Sequence, residues 1–493
     1  MLPIQEKLNL SEYTGIYNII IKKDHWIRKL HDIIDYEFIY EELKDKYCLD
    51  NGAMAYNPIK LFKLLMLKGK YKLSDRDLIE RGETDMAIKY FLDISPEDEM
   101  PHHTLLTKFR KLRLNDESLL QKLLLKTLEK ANELGIINTK TIIVDSTHTK
   151  SVYNPKTPIE ILTEESKSLR KTVYEITPEY KDKMPTKPSS RDLDDHIKYC
   201  KELIELLKGD EKLNFYNAIT EKLNYLEEIV NDDIENKISL SDGEARFGHK
   251  TADTSFFGYK THIAMSPERI ITAAVVSTGE KPDNAFTQEL VEQSVANGYE
   301  VDTLIGDGAY SGKDDLEYAK ENNIKIVSKT NEFVYNGNPN TSRCKGFTFN
   351  KDAGMYVCNA GHMAIRKVRN GGKRNPEKAQ QTTFFFDVNK CKVCPLKDGC
   401  YEEGSKTKTY TYRKPSKLHQ DQVDFQNSEE FKNLYKERYK IEAKNSELKN
   451  SYGMAKTHTS GIFGMQLQSI ISIFTVNLKR IITIEEEKTK KTK

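Results

Sequence analysis

The sequence predicts an α/β fold: a mixed β-sheet flanked by helices, preceded by an all-α N-terminal domain and interrupted by two insertions. Three observations lead there. TIIVDST and VDTLIGDGAY are apolar, β-branched runs of strand length, each reaching an acid. Between Thr141 and Lys329 the elements follow the order strand, strand, strand, helix, strand, helix, strand, which builds a mixed sheet with helices on its faces. Before residue 136 the apolar residues recur at helical spacing.

Residues 1–135 are read as a helical N-terminal DNA-binding domain. Pro58 opens IKLFKLLMLKGKY, Ser74 caps DRDLIERGE, and Pro101 and Thr104 precede LLTKFRKLRL. Breaks at Gly69, Gly82 and Pro96 suit a helix-turn-helix unit, and a helical dimerisation or packing domain fits the same pattern. Residues 136–150 bring the first strand, and 151–245 turn polar and lysine-rich, as an inserted helical arm whose charges read as a solvated face.

The sheet continues over 246–329. FFGYKTHIAM and RIITAAVVST are strands joined at Ser266-Pro267-Glu268, and NAFTQELVEQSVANG is a helix closed by Gly298. VDTLIGDGAYSG is a strand and tight turn, DDLEYAKENN a helix, IKIVSK a strand. This order matches a ribonuclease-H-like core. Residues 330–427 interrupt it with a cysteine-bearing insertion. Residues 428–480 return as core helices, the first from Ser428 to Tyr452 with Gly453 as its stop, and 481–493 form a basic tail.

Composition bounds the function without naming it. The 493 residues are 38% hydrophobic and 31% charged, as expected for a folded chain of roughly three domains at about 150 residues each. A net charge of +2 announces no nucleic-acid partner, so any DNA surface requires local segregation of Lys and Arg. No secretory signal is apparent, and no run approaches the roughly 18 consecutive apolar residues of a membrane span. Four of the seven cysteines, Cys358, Cys391, Cys394 and Cys400, cluster within residues 358–400, which favours metal binding over disulfides, and a cytoplasmic location is expected.

Asp145 and Asp307 end apolar strands, where a buried acid without a partner is costly and a metal ligand is a natural role. In FKNLYKERYKIEAKNSELKNSYG, Tyr435, Arg438, Glu442 and Lys449 fall within roughly 60° of arc on one helix face at about 100° per residue. An aromatic ring, a guanidinium, a carboxylate and an ammonium in one stripe form neither a core face nor an ordinary alternating ion-pair face. Glu442 then completes a three-carboxylate site for two divalent cations about 4 Å apart, the arrangement that cleaves phosphodiesters. Glu447 competes as third ligand but lies about 140° around the helix.

The spacing Tyr435-x2-Arg438-x3-Glu442-x6-Lys449 resembles the Y-x2-R-x3-E-x6-K signature of bacterial insertion-sequence DDE transposases. VDSTH at Asp145, GDGAYSG at Asp307, DGEARFGHK with FFGYKTHIA, the N-terminal YNPIKLFKLLMLKG, LSDRDLIERG and PHHTLLTKFRKL, and NLKR at 477–480 are also similar to that family. The resemblance implies metal-dependent strand cleavage and strand transfer with Mg²⁺ or Mn²⁺, with Asp145, Asp307 and Glu442 as catalytic ligands. It further implies DNA contacts by Tyr435, Arg438 and Lys449, terminal inverted repeats and target DNA as double-stranded partners, and a homodimer in the synaptic complex. Some relatives trap a flipped base with a tryptophan, whereas Trp26, the single tryptophan here, lies outside the core. A non-catalytic DNA-binding derivative and a structure-specific nuclease of the same fold are the rival readings.

CKVCPLKDGC supplies Cys391, Cys394 and Cys400, and VCNAGH supplies Cys358 and His362. The C-x2-C pair is a zinc clip, so a structural Zn²⁺ is expected with Cys358 or His362 as the remaining ligand. Cys48, Cys200 and Cys344 are read as ordinary thiols, His148 as a packing residue, and Arg246, Lys260 and His262 as solvated residues.

Overall fold

The structure is a computed structural model; it describes residues 11–48, 54–153, 156–210, 212–231, 242–251, 254–330, 347–350, 352–370, 380–414 and 417–491. Cys344 lies outside them, as do the outermost parts of the expected N-terminal domain and basic tail.

The central sheet contains β1 (Thr141–Lys150), β2 (Arg246–Thr251), β3 (Thr254–Met265), β4 (Ile271–Thr278), β5 (Thr303–Ile305) and β6 (Lys325–Val327). β3 pairs antiparallel with β1 and with β4, while β5 is parallel to both β1 and β6. β2 pairs with the first part of β3. The order β4-β3-β1-β5-β6, with antiparallel pairing on one side of β1 and parallel on the other, is the ribonuclease-H-like arrangement. The β3–β4 turn closes through Ser266 and Ile270, whose N–H and carbonyl are 2.8 Å apart, with Arg269 at φ +71°. Ile142 and Val144 point to one buried face with Leu290, Leu304 and Tyr310, while Ile143 joins the other with Ile263 and Ile305. This period-2 division explains why β1 is apolar throughout.

The N-terminal helices do not form a separate core. Pro58–Tyr71 begins with Asn57 capping Ile59, and most of its side chains are buried. It packs against the C-terminal helix Ile462–Lys491, with the rings of Phe62 and Phe474 5.7 Å apart, and shares one apolar cluster with β3, β4 and the helix bearing Glu442. Asp75, the first residue of Asp75–Thr84, pairs with Lys68 at 2.5 Å and with Arg110 at 2.5 Å. The C-terminal helix is long and apolar enough to cross a membrane, yet its apolar residues are packed into this cluster. It also runs on to Lys491, through the expected basic tail, because IEEEKTKK adds same-face pairs such as Lys488–Glu485 at 3.0 Å.

Two further units have cores of their own. Pro158–Ile176, Leu193–Lys208 and Asn217–Asn231 bury Leu162, Leu169, Leu203, Leu207, Leu223 and Leu226 among themselves. The cysteine-bearing unit contains β7 (Thr348–Asn350) paired with β8 (Met355–Val357), and β9 (Arg366–Asn370), β10 (Gln380–Phe386) and β11 (Lys408–Lys414) in one antiparallel sheet. Phe384 and Phe386 point to its small core with Ala364.

Candidate active site

Parallel pairing aligns Ile143 of β1 with Ile305 of β5, so Asp145 and Asp307 each stand two residues beyond one register pair on adjacent strands. Asp307 accepts from the Ala309 N–H at 2.9 Å, starting the short turn Gly308–Ser311, and the Ser328 hydroxyl donates to its carbonyl. Gly306 is required by this turn, since a Cβ there would come within 2.7 Å of the Tyr310 ring. Burial, with the added repulsion of Asp307 and Asp283, raises the Asp145 carboxyl to about 6, although the Ser146 N–H and Arg438 oppose the shift.

The helix Tyr439–Ser451 crosses β1 and delivers Asn445, whose amide donates to Asp145 Oδ2 at 2.9 Å. Asn445 Oδ1 is buried without a partner among the described residues. Glu442, one turn earlier on the same helix, is 55% exposed at its side chain and accepts from Arg438 Nη2 at 2.5 Å. Lys449 lies 3.3 Å from His148, which packs on Phe256 with ring centroids 4.9 Å apart. Tyr435 ends the preceding helix Glu429–Tyr435, stacks on Phe431 at 5.4 Å and carries Lys329 over its ring at 5.1 Å. A tighter turn, Lys436–Arg438, separates the two helices, so the expected continuous helix is two helices in line.

Asp145, Asp307 and the Glu442 helix therefore meet, while the Glu442 carboxylate itself is turned to Arg438. Among the described residues no group of three or more His, Cys, Asp or Glu side chains closes around a metal position. Glu447 is drawn elsewhere: it pairs with buried Lys444 at 2.9 Å, Lys479 at 3.6 Å and Arg269 at 4.0 Å. Burial alone would raise its carboxyl, but Lys444, Lys479 and Arg269 hold it below the ordinary value.

Three neighbours of the aspartates were not singled out in the sequence. Asn445 was legible as the residue three after Glu442 on the same stripe. Tyr310 is fully buried, its hydroxyl lacks a partner among the described residues, and burial and the nearby acids push its phenol well up. Asp283 accepts from Lys260 Nζ at 2.8 Å and sits 4.0 Å from His262. No local signal marks Asp283, since only folding brings the turn after β4 to β1.

His262 and Lys260 correct the expectation of solvated residues. His262 is fully buried, bonds Ser277 at 2.8 Å and stacks on Phe286 at 4.3 Å, and burial lowers its imidazole to about 4. Lys260 is spent on Asp283. Arg246 is half-buried and holds the carbonyls of Gly243 and Ala245, closing the turn into β2. Trp26 packs edge-on against Tyr71 in the N-terminal helices.

In the cysteine-bearing unit, Cys358, Cys391, Cys394 and Cys400 line one cavity of about 360 Å³ together with His362. Burial and the neighbouring Cys400, Cys358 and Cys394 raise the Cys391 thiol. Their sulfurs share this space without closing on a metal position. Cys48 is exposed and Cys200 buried, and neither is in a disulfide.

Comparison with known families agrees with the fold. Residues 227–478, just over half of the chain, match the family described as Transposase DDE domain, and residues 16–112 match the one described as Transposase domain (DUF772). The first match contains Asp307 and Glu442 but begins after β1, whose Asp145 is separated from the rest of the sheet by the helical arm. No curated protein matches the chain. Asp145 stands in the middle of β1, which runs on to Lys150 instead of ending at the acid, beside Asp307 just past β5. A ribonuclease-H-like sheet carrying these two aspartates, and a match over half the sequence, lead to one conclusion: the chain belongs to the DDE transposase family.

Proposed function

We propose that Asp145, Asp307 and Glu442 are the catalytic carboxylates of a two-metal DNA transposase that cleaves element ends and joins them to target DNA. The observation that carries this reading is the meeting of Asp145 and Asp307 at matched register with the helix of Glu442, clamped by Asn445. The donor set suits a divalent cation: two carboxylates repel across a buried site, and Asn445 Oδ1 and the Tyr310 hydroxyl are unpartnered among the described residues beside them. Divalent cations, when bound, would activate water and stabilise the leaving 3′ oxygen. Glu442 reaches the pair by leaving Arg438, which takes a DNA phosphate in its place as a charge-assisted donor. Lys449 and Tyr435 extend the same line along the DNA backbone.

Element ends incubated with Mg²⁺ test the assignment. Asp145→Asn, Asp307→Asn and Glu442→Gln should each reduce cleavage by at least a hundredfold while DNA binding persists. Full cleavage by any of the three would overturn it. Light scattering of the protein bound to paired ends tests the dimeric synaptic complex, with a single chain per pair of ends as the contrary result.

We also read the four-cysteine cavity as a structural zinc site, supported by four thiols and His362 around one space. Metal analysis of protein purified without chelator should find about one zinc per chain. A double Cys391→Ser, Cys394→Ser variant should hold none.

A further inference from the structure

The tail of β1 beyond Asp145 carries the chain that follows the Glu442 helix. Lys150 N–H donates to the Ala455 carbonyl at 3.1 Å, and Thr457 N–H donates to the Lys150 carbonyl at 2.8 Å, which makes a parallel bridge of Lys150 with Lys456. The Thr149 hydroxyl donates to the Met454 carbonyl at 2.8 Å, and Val152 N–H to the Thr457 hydroxyl at 2.9 Å. The helix is thus tied to β1 twice, through Asn445 on Asp145 and through this strip just past its last residue, Ser451.

One buried acid fastens the far end of the strip. Asp242 is 2% exposed; its Oδ1 accepts from the Gly461 N–H at 3.1 Å and from the Tyr259 hydroxyl, and its Oδ2 from the Ser151 hydroxyl at 2.6 Å. Two residues on, Glu244 accepts from the Ile462 N–H at 2.8 Å, where the C-terminal helix begins. Gly461 stands at φ +84°, and a Cβ there would lie 3.0 Å from the Glu244 carboxylate, so glycine suits this approach.

A buried carboxylate is costly unless donors satisfy it. Here the donors come from the end of β1, from β3 and from the loop before the C-terminal helix, and they meet only when all three are in place. Ser151 and Asp242 also stand where the helical arm leaves and rejoins the sheet. The arm has a core of its own, so any swing of it pulls on the tail of β1 unless its neck is closed.

We propose that Asp242 is a positioning residue for strand cleavage. It closes the neck of the arm onto the 454–461 strip, keeps that strip on β1, and so holds Glu442, Asn445 and Lys449 in line with Asp145. The proposal rests on the catalytic reading of Asp145 and Glu442.

Two substitutions at one position test it in the full chain. Asp242→Ala removes the shared acceptor. Asp242→Asn preserves it: Oδ1 still accepts from Tyr259 and Gly461, and the amide donates to the Ser151 oxygen, whose own proton can turn away. At saturating element ends and Mg²⁺, Asp242→Ala should cleave about tenfold more slowly or worse, as expected for a small misplacement of reacting groups, with Kd for the ends within about twofold of wild type. Asp242→Asn should restore the rate. Hydrogen exchange without DNA or metal should show faster exchange across the Glu442 helix in the Ala variant alone, with the helix Thr287–Ala296 unchanged.

Should Asp242→Ala fail to fold, Ser151→Ala combined with Tyr259→Phe removes two of the three donors without added volume and should slow cleavage in the same way. Full-rate cleavage by either variant overturns the proposal. So does an Asn variant as slow as the Ala variant, or exchange that quickens equally in both helices. Failure of the catalytic reading looks different: Glu442→Gln would still cleave, while Asp242→Ala would still loosen the helix that carries Glu442.

Discussion

Asp145 is a carboxylate that the fold makes costly to ionise. Its folded value of about 6 lies above the ordinary carboxylate value, so the folded state binds protons more tightly than the unfolded chain. The resulting penalty is absent below the unfolded value, grows as pH rises toward 6, and is complete above it. A rise of this size corresponds to roughly 2–3 kcal/mol. In the presence of chelator, Asp145→Asn should therefore melt above wild type at pH 8, and the gap should close by pH 4; a constant gap would refute the electrostatic account. Mg²⁺ should raise the wild-type melting temperature at pH 8 and leave Asp145→Asn and Asp307→Asn unchanged. Glu442 behaves differently because it is half in solvent and satisfied by Arg438. Its Gln variant should keep wild-type stability within about 0.5 kcal/mol, as expected for an exposed pair, while losing cleavage.

At the scale of elements, the Glu442 helix has two working faces. One carries Glu442, Asn445 and Lys449 past β1; the other buries Lys444 against Glu447, with Lys479 and Arg269 nearby. Glu447→Ala strands Lys444, whose side chain is 1% exposed, and should cost about 3 kcal/mol or more in urea unfolding. Cleavage per folded molecule should survive, which separates Glu447 from Glu442 by measurement. The turn after β5 is equally constrained. Gly306→Ala forces a methyl group against Tyr310 and should destabilise by about 1–3 kcal/mol, typical of overpacking.

At the scale of the molecule, the C-terminal helix joins parts that the chain order keeps far apart. Phe474 is fully buried between Phe62 at 5.7 Å and Phe38 at 6.3 Å, and Asn477 donates to Thr127 Oγ1 at 3.1 Å and to the Ile271 carbonyl at 2.9 Å. The N-terminal helices and the sheet should therefore unfold in one transition. Phe474→Ala should cost about 3–5 kcal/mol and split that transition or lower it as a whole. Separate melts in the unaltered protein would contradict the shared core. The cysteine-bearing unit and the three-helix arm, with cores of their own, are free to unfold independently.

The amino-acid sequence by itself determined the succession of strands and helices along the core, its ribonuclease-H-like class and the helical stretch from Ser428 to Tyr452, which the structure divides at Lys436–Arg438. Each follows from local periodicity, caps and turns, which act over a few residues. Proximity across the chain was decided only in three dimensions. Strand pairing set Asp145 beside Asp307, folding of the turn after β4 brought in Asp283, and helix packing put Asn445 rather than Glu442 against Asp145. The same holds for His262, which reads as an ordinary polar residue until β1, β4 and Phe286 enclose it. Burial and electrostatic repulsion depend on neighbours hundreds of positions away, and no short-range pattern encodes them.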